Sequence, residues 1–391
     1  MQIVVLSDLH LGHKKIPGIH IYQNLKTYVY PKLKDADLVV LTGDTFHSLL
    51  DFNNEASGYV IQFLNDLFYL SRKYHFGVRI LRGTFSHDRN QVEYIKQCAH
   101  KHQGDIAVDL KTYNDITLDE ENIKGNSLKC LYLPDDLPYG SQEEVVSVIH
   151  KLLDERHWNK VDIIFGHGYL QHVLPADARG PAVLYTIESL SSICEHLAVF
   201  GHVHTPSIKR YRHLTCFYVG SFERMNHGEE EKKGFYTIDT DTWKTTFIPN
   251  KNTILFLTFK SNSQDTSKIV EDFKQWIALS KLSEVNTNFI RVIHNDPTIR
   301  ILLGKILRSE YSHLKCVYTS ESDRSSRSIV LETKPITDND SKLIIPTEEN
   351  IVDLIEKAIK DKGLPALSKD RIQDIWNLNF DITDISTNVS V

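Results

Sequence analysis

Residues 1–13 read MQIVVLSDLHLGH, and this stretch decides the fold. Ile3, Val4, Val5 and Leu6 form a continuous apolar run rich in β-branched side chains, the pattern of a strand buried on both faces of a parallel or mixed sheet. The run stops at Ser7-Asp8-Leu9-His10. Asp8 and His10 are two apart, so on a backbone that stays extended they point the same way. A carboxylate and an imidazole side by side at a strand's end make a pair of metal ligands. For one such tripeptide, a solvated loop with a chance Asp and His is the plain alternative. Four later strand ends repeat the arrangement.

Residues 38–41 form a second apolar run that ends in Thr42-Gly43-Asp44-Thr45-Phe46-His47. Residues 78–81 lead into Arg82-Gly83-Thr84-Phe85-Ser86-His87-Asp88, residues 161–165 into Gly166-His167-Gly168, and residues 197–200 into Gly201-His202-Val203-His204. A glycine before a polar residue is ordinary turn chemistry in a single case. Five such ends in order, each directly after an apolar run, are not explained by chance. Helical spacing of apolar residues falls between them, at residues 21–33, 54–74, 93–102 and 143–153. Residues 128–133 add a strand, and residues 217–220 and 234–238 close this part as antiparallel strands. The alternation of strand, polar turn and helix predicts an α/β layered fold with central mixed sheets flanked by helices, its chemistry in the loops after the strands.

From residue 254 the character changes. Strands at 254–259, 289–293 and 316–318 alternate with helices at 267–279 and 296–309, with no Gly-His or Asp-x-His turn among them. This βαβαβ pattern predicts a separate small α+β domain. Residues 319–328 are polar and serine-rich and read as a mobile loop. Residues 346–391 hold two short amphipathic helices, which either pack on the body or dock onto a partner.

The composition sets outer bounds. A chain of 391 residues is long for one core, and 41% hydrophobic with 25% charged residues is a globular balance. The longest apolar runs are strand-sized, so nothing spans a membrane. Met1 leads directly into a core strand, so no signal peptide is expected, and a cytoplasmic location is the expectation. Five scattered cysteines without a CxxC pair fit a reducing compartment, buried and inert. The net charge of -6 is awkward for a nucleic-acid enzyme, although bound cations or a basic partner can reverse it locally. No GxxxxGK[ST] pattern is present, so any dependence on ATP must come from another chain.

Imidazole and carboxylate without thiolate suit Mn²⁺, Fe²⁺ or Zn²⁺ rather than a Ca²⁺ cage. Two cations ~3.5–4 Å apart, bridged by a carboxylate, clamp a phosphoryl group for displacement. A histidine held by an aspartate outside the ligand set can protonate the leaving alkoxide, and His87-Asp88 offers that pair. The reaction implied is phosphoester hydrolysis.

The ordered set D-x-H, G-D, H-D, G-H, G-H-x-H over residues 1–238 resembles the calcineurin-like metallophosphoesterase superfamily. The resemblance implies Asp8, His10 and His204 at one metal, His167 and His202 at the other, and Asp44 bridging. It implies His87 as the catalytic acid, oriented by Asp88. Within that superfamily the chain is most similar to the SbcD type of DNA repair nuclease. Asp8-Leu9-His10-Leu11-Gly12 matches that family's first motif, and Gly43-Asp44-Thr45-Phe46-His47 its second, where His47 implies contact with the scissile phosphate. Tyr218-Val219-Gly220-Ser221 and Lys233-Gly234-Phe235-Tyr236 resemble its closing strands. The resemblance implies a nuclease domain at 1–250, a DNA-capping domain at 251–335, and helices at 346–391 that bind the coiled coil of an SbcC-like ATPase. It further implies a homodimer, DNA as substrate, exonuclease or endonuclease activity with two Mn²⁺ ions, and a role in DNA recombination, repair or replication. Size and divergence are similar to those of phage-encoded versions.

One departure stands out: the family's third motif carries an asparagine ligand, and here Ser86 occupies that place. A hydroxyl is the weaker ligand; either Ser86 ligates with a shifted loop or water fills the position, and both predict looser binding of the second metal. A phosphatase or cyclic-nucleotide phosphodiesterase on the same core, and a catalytically decayed scaffold, are the competing readings. His13, His20, His75, His100, His102, His172 and His196 match no motif and read as surface or capping residues. Phe46 and Phe85 read as packing, and residues 169–179 as a candidate lining of the cleft.

Overall fold

The computed structural model describes residues 1–51, 53–99, 107–171, 183–284 and 286–322. The opening apolar run forms β1 (Gln2–Leu6), and its two faces are covered by different layers. Ile3 and Val5 face one core cluster, while Val4 and Leu6 face another, as the period-two geometry of a strand requires. β2 (Leu38–Thr42), β3 (Gly77–Leu81) and β4 (Leu110–Tyr113) follow in parallel beside it.

A second sheet then begins with an antiparallel hairpin, β5 (Thr117–Ile123) and β6 (Asn126–Leu133). β7 (Val161–His167) runs parallel to β6, and the two-residue strands β8 (Tyr169–Leu170) and β9 (Leu184–Tyr185) pair with each other. β10 (Cys194–Gly201) lies parallel to β7, and β11 (Ser207–Tyr211) with β12 (Leu214–Tyr218) forms an antiparallel hairpin at the edge. β13 (Gly234–Asp239) returns to the first sheet antiparallel to β1, and β14 (Lys244–Pro249) closes it. The orders are β14-β13-β1-β2-β3-β4 and β11-β12-β10-β7-β6-β5. The expected antiparallel strands near 217 and 234 therefore lie in different sheets, each antiparallel to its hairpin neighbour.

The sheets face each other across one core, where Ile3, Val5 and Val40 meet Tyr132, Phe165, Val199 and Phe217. Helix Glu55–Tyr74 covers the outer face of the first sheet with Phe63, Leu64 and Leu67. Helix Gln142–Glu155 covers the second with Val145, Ile149 and Leu153. Both start at caps, Asn54 accepting from the Ala56 N–H at 2.9 Å and Ser141 from the Glu144 N–H at 3.3 Å. The result is the α/β layered architecture, helices outside two mixed sheets. The helix expected at 21–33 runs as Gly18–Asn24, a wide π turn Leu25–Val29, and Tyr30–Leu33. Pro31, near the start of the last piece, has no N–H for the regular ladder, which accounts for the wide turn.

Beyond residue 254, β15 (Leu255–Lys260), β16 (Asn288–Ile293) and β17 (Cys316–Glu321) form a parallel sheet around helices Thr266–Leu279 and Pro297–Glu310. Phe259, Phe273, Ile290 and Leu303 give it a core of its own, and Ile254 and Phe256 join that of the first sheet. Thr319, Ser320 and Glu321 pair with β16, so strand pairing overrides the loop reading of that polar stretch. The helices expected at 346–391, and the chain from 323 on, lie outside the described residues. Among the described residues no helix is long and apolar enough to cross a membrane. Cys130, Cys194 and Cys216, among the described residues, are free and buried, burial pushing the Cys194 and Cys216 thiols up to about 12, whereas Cys316 is free but only half-buried.

Candidate metal centre

The backbone does not stay extended beyond β1 and β2. Asp8, His10 and Asp44 take φ of 47°, 43° and 46°, in the left-handed region, and His202 follows β10 with φ 95°. Asp and His enter this region more readily than most residues, but each such residue carries strain that its surroundings must hold. Here the two loops hold each other: Asp8 N–H donates to Gly43 O at 3.2 Å, His10 N–H to Asp44 O at 3.0 Å and Leu11 N–H to Thr45 O at 2.9 Å. Asp8 and His10 thus reach one site through two tight bends rather than through strand alternation. Gly43 has φ 88°, and a Cβ there would run into the His167 ring. The glycine is a close-approach position.

Among the described residues three groups of ligand-type side chains result, Asp8–His10–His204, Asp44–His167–His202 and His10–His47–His87, with the ligating atoms of each group within 4.8 Å of one another; the first two carry the carboxylates. Asp44 stands between them, Oδ1 at 3.4 Å from His167 Nε2 and Oδ2 at 3.9 Å from His10 Nε2. His167 Nδ1 donates to Thr42 O at 2.6 Å, which directs Nε2 at a carboxylate oxygen. Among the described residues that Nε2 and His10 Nδ1, both buried, have no hydrogen-bond partner. His204 Nδ1 lies 3.0 Å from Glu229 Oε1, and its Nε2 lies 3.0 Å from His10 Nε2. Two imidazole lone pairs, or a lone pair and a carboxylate, cannot sit buried at these separations without a proton or cation between them. The donor set of imidazole and carboxylate fits a divalent transition cation. The electrostatics agree. Burial opposes a charge on His167, but the adjacent Asp44 carboxylate raises it above the ordinary value. Burial holds His10 well below that value and, together with His167, lowers His202.

Ser86 does not come to the site. It is exposed on the single-turn helix Phe85–Asp88, which turns it outward. Thr84 arrives instead: its N–H donates to Asp44 Oδ1 at 2.7 Å, and its hydroxyl lies 3.4 Å from Asp44 Oδ2 and 3.3 Å from His202 Nδ1. Asp88 does not orient His87. Its carboxylate accepts from the Phe46 N–H at 2.9 Å and the Gly83 N–H at 2.7 Å, tying two loops together. Burial, with the nearby Asp44 charge, pushes the Asp88 carboxyl up to about 7. The group that orients His87 is a backbone carbonyl, since Nδ1 donates to His47 O at 2.6 Å. The His10, His47 and His87 rings gather beside the first group, with 4.6 Å between the His10 and His87 centroids.

His13 is buried against His47 rather than at the surface, 4.3 Å between centroids, and burial with His47 lowers it to about 4. His20 pairs with the buried Glu223 at 2.9 Å, and His196 stacks on Trp243. Phe46 packs in the core, but Phe85 is half-exposed. Tyr169 lies against His202 with centroids 4.1 Å apart; residues 172–179 of the expected lining, like His100 and His102, fall outside the described residues. Besides Thr84, two site residues escaped the sequence reading. Glu229 sits in the charged run 229–233, which reads as a solvated face. Asp135 had a usable signal, since it follows an apolar strand as the other site carboxylates do.

No protein-family model matches the chain. Among curated proteins it is similar to the nuclease component of the SbcCD complex from Staphylococcus saprophyticus, 23% identical over 274 residues, 64% of this chain and 69% of that protein. Among solved structures, an uncharacterised protein of Streptococcus pneumoniae described as a predicted phosphoesterase shares 12% identity at a TM-score of 0.27, covering 64% of this chain and 91% of that one. Vps29 of Entamoeba histolytica in complex with zinc shares 13% identity at a TM-score of 0.26, covering 61% and 86%.

Proposed function

We propose that this chain is a metal-dependent phosphoesterase of the metallophosphoesterase superfamily, and more narrowly a DNA nuclease of the SbcD type. The observation that carries the reading is Asp44, one carboxylate with an oxygen turned toward each of two ligand groups. The similarity to the nuclease component of an SbcCD complex supports the narrower part.

Asp8, His10 and His204 would hold one divalent cation, His167 and His202 the other, and Asp44 both; Mn²⁺ is our choice for this donor set. Bound there, the cations supply Lewis acidity and positive charge for a phosphoryl group. The chain's own residues do the rest. Asp44 is fixed by the Thr84 N–H, so its two oxygens keep their directions. The His47 carbonyl holds His87 Nδ1, which frees Nε2 to pass a proton to the leaving alkoxide. His47, beside His87, would hydrogen-bond a phosphoryl oxygen. In this reading the chain acts as a homodimer with an SbcC-like coiled-coil ATPase, which would supply the P-loop pattern not found in this sequence.

The test is cleavage of end-labelled linear duplex DNA with added Mn²⁺ by the wild type, Asp44→Asn and His87→Ala. Cleavage by the wild type that is lost in both variants is the expected result. Turnover of an aryl phosphodiester but not of DNA would move the assignment to a small-molecule phosphodiesterase. Turnover of neither would refute the enzyme.

A further inference from the structure

Asp135 lies in the turn after β6, and both ends of that turn are fixed. Its N–H donates to Arg82 O at 3.3 Å, and the Arg82 guanidinium returns bonds to the carbonyls of Asp135 and Asp136 at 3.0 and 3.2 Å. The Asp136 carboxylate in turn accepts from the Phe85 N–H. Within this frame the two oxygens of Asp135 differ. Oδ1 is taken by the Asp136 N–H at 2.9 Å, while Oδ2 faces the second ligand group, 3.5 Å from His202 Nδ1 and 3.5 Å from Thr84 Oγ1.

The Thr84 hydroxyl is therefore within reach of acceptors on Asp44, Asp135 and His202, and it has one proton to give. One O–H cannot serve two carboxylates, so the set is short of positive charge at the point where they converge. We infer that Asp135 supplies an oxygen ligand to the cation held by Asp44, His167 and His202. The inference rests on the reading of that group as a metal site. It assigns to the loop after β6 the oxygen donor that the sequence placed at Ser86. A second carboxylate in the set makes it harder and more anionic, which favours a divalent cation such as Mn²⁺ and offsets the weakness of a hydroxyl ligand.

The experiment is Mn²⁺ binding to the full metal-stripped chain without substrate, followed by calorimetry and by the electron paramagnetic resonance of free Mn²⁺. Asp135→Ala removes the carboxylate. Asp135→Asn keeps the oxygen that caps Asp136 and turns an NH₂ toward the site. The Asp135 side chain is 24% exposed, so neither change opens the core, and matching thermal melts of the stripped proteins verify folding. The expected result is two ions per wild-type chain, with the second at least tenfold weaker in Asp135→Ala, the first unchanged, and Asp135→Asn between them. Wild-type affinity for both ions in Asp135→Ala overturns the role of Asp135. A wild type that takes up a single ion overturns the second metal site itself, and the role of Asp135 with it.

Discussion

Replacing Glu121 by alanine is the sharpest test of how the two sheets are joined. Arg79 on β3 is buried between the sheets, and its guanidinium meets Glu121 of β5 through Nε at 2.6 Å and Nη2 at 2.5 Å. Tyr132 donates to the same carboxylate at 2.8 Å. Removing one partner of a buried ion pair costs about 3–5 kcal/mol, because the other charge stays buried. Two contacts from Arg79 to the half-exposed Asp109 carboxylate, at 3.1 and 3.0 Å, soften that cost. The orphaned Tyr132 hydroxyl adds about 1–3 kcal/mol. A net loss of about 4 kcal/mol follows, a large share of the ~5–15 kcal/mol that holds a typical fold together. In a urea titration followed by tryptophan fluorescence, the main transition should move to lower denaturant, with a fall in Tm of roughly 8–12 °C. The double variant Arg79→Met/Glu121→Leu should recover the part of the loss due to the unpaired guanidinium, since an apolar pair leaves no arginine charge buried alone, while the Tyr132 hydroxyl stays without its acceptor. A Glu121→Ala protein within about 1 kcal/mol of the wild type would refute the assignment of a desolvated pair.

Three further outcomes bear on the site. Glu229 orients His204, so Glu229→Gln should weaken the first Mn²⁺ by about 10–100-fold in a binding titration and leave the second alone; unchanged affinity removes the orienting role. Asp44 raises His167, so in the metal-free protein at neutral pH this imidazole carries a proton that a cation must displace. Binding should then release protons and tighten as pH rises, and calorimetric heats at pH 7 should differ between buffers of unequal ionisation enthalpy. Equal heats would contradict this. Finally, His87→Ala should slow cleavage of DNA by about 10²–10⁴-fold but slow an aryl phosphodiester far less, because a phenolate needs no proton to leave. Equal losses on both substrates would rule out proton donation.

Much of the fold was legible because its signals are local. Apolar runs of four or five residues marked β1, β2, β3, β7 and β10, and helical spacing marked the two covering helices. The short or polar strands β4, β5, β11 and β14 carry no such run and exist through pairing with neighbours. The site was legible in residue type and order: Asp8, His10, Asp44, His167, His202 and His204 follow apolar strands and meet in two groups. The errors lie where a motif was extended without geometry. Ser86 sits one residue before His87, as an asparagine ligand would, yet the single-turn helix points it to solvent and leaves Thr84 at Asp44. Asp88 follows His87 directly, yet its side chain turns into the core to bind two loop amides.

The sequence by itself determined where strands stop and which ligand chemistry stands at each stop, since both depend on neighbours a few residues apart. Only the tertiary structure decided how those stops combine. The partner of His87 is a carbonyl, and every residue has a carbonyl, so no choice of amino acid announces it. Glu229 and Asp135 reach their histidines across 25 and 67 positions. The left-handed bends at Asp8, His10 and Asp44 are stable because two loops distant in sequence bond to each other. Contacts of that range arise only when both sheets are in place, which is why the ligands could be read from the chain and their arrangement could not.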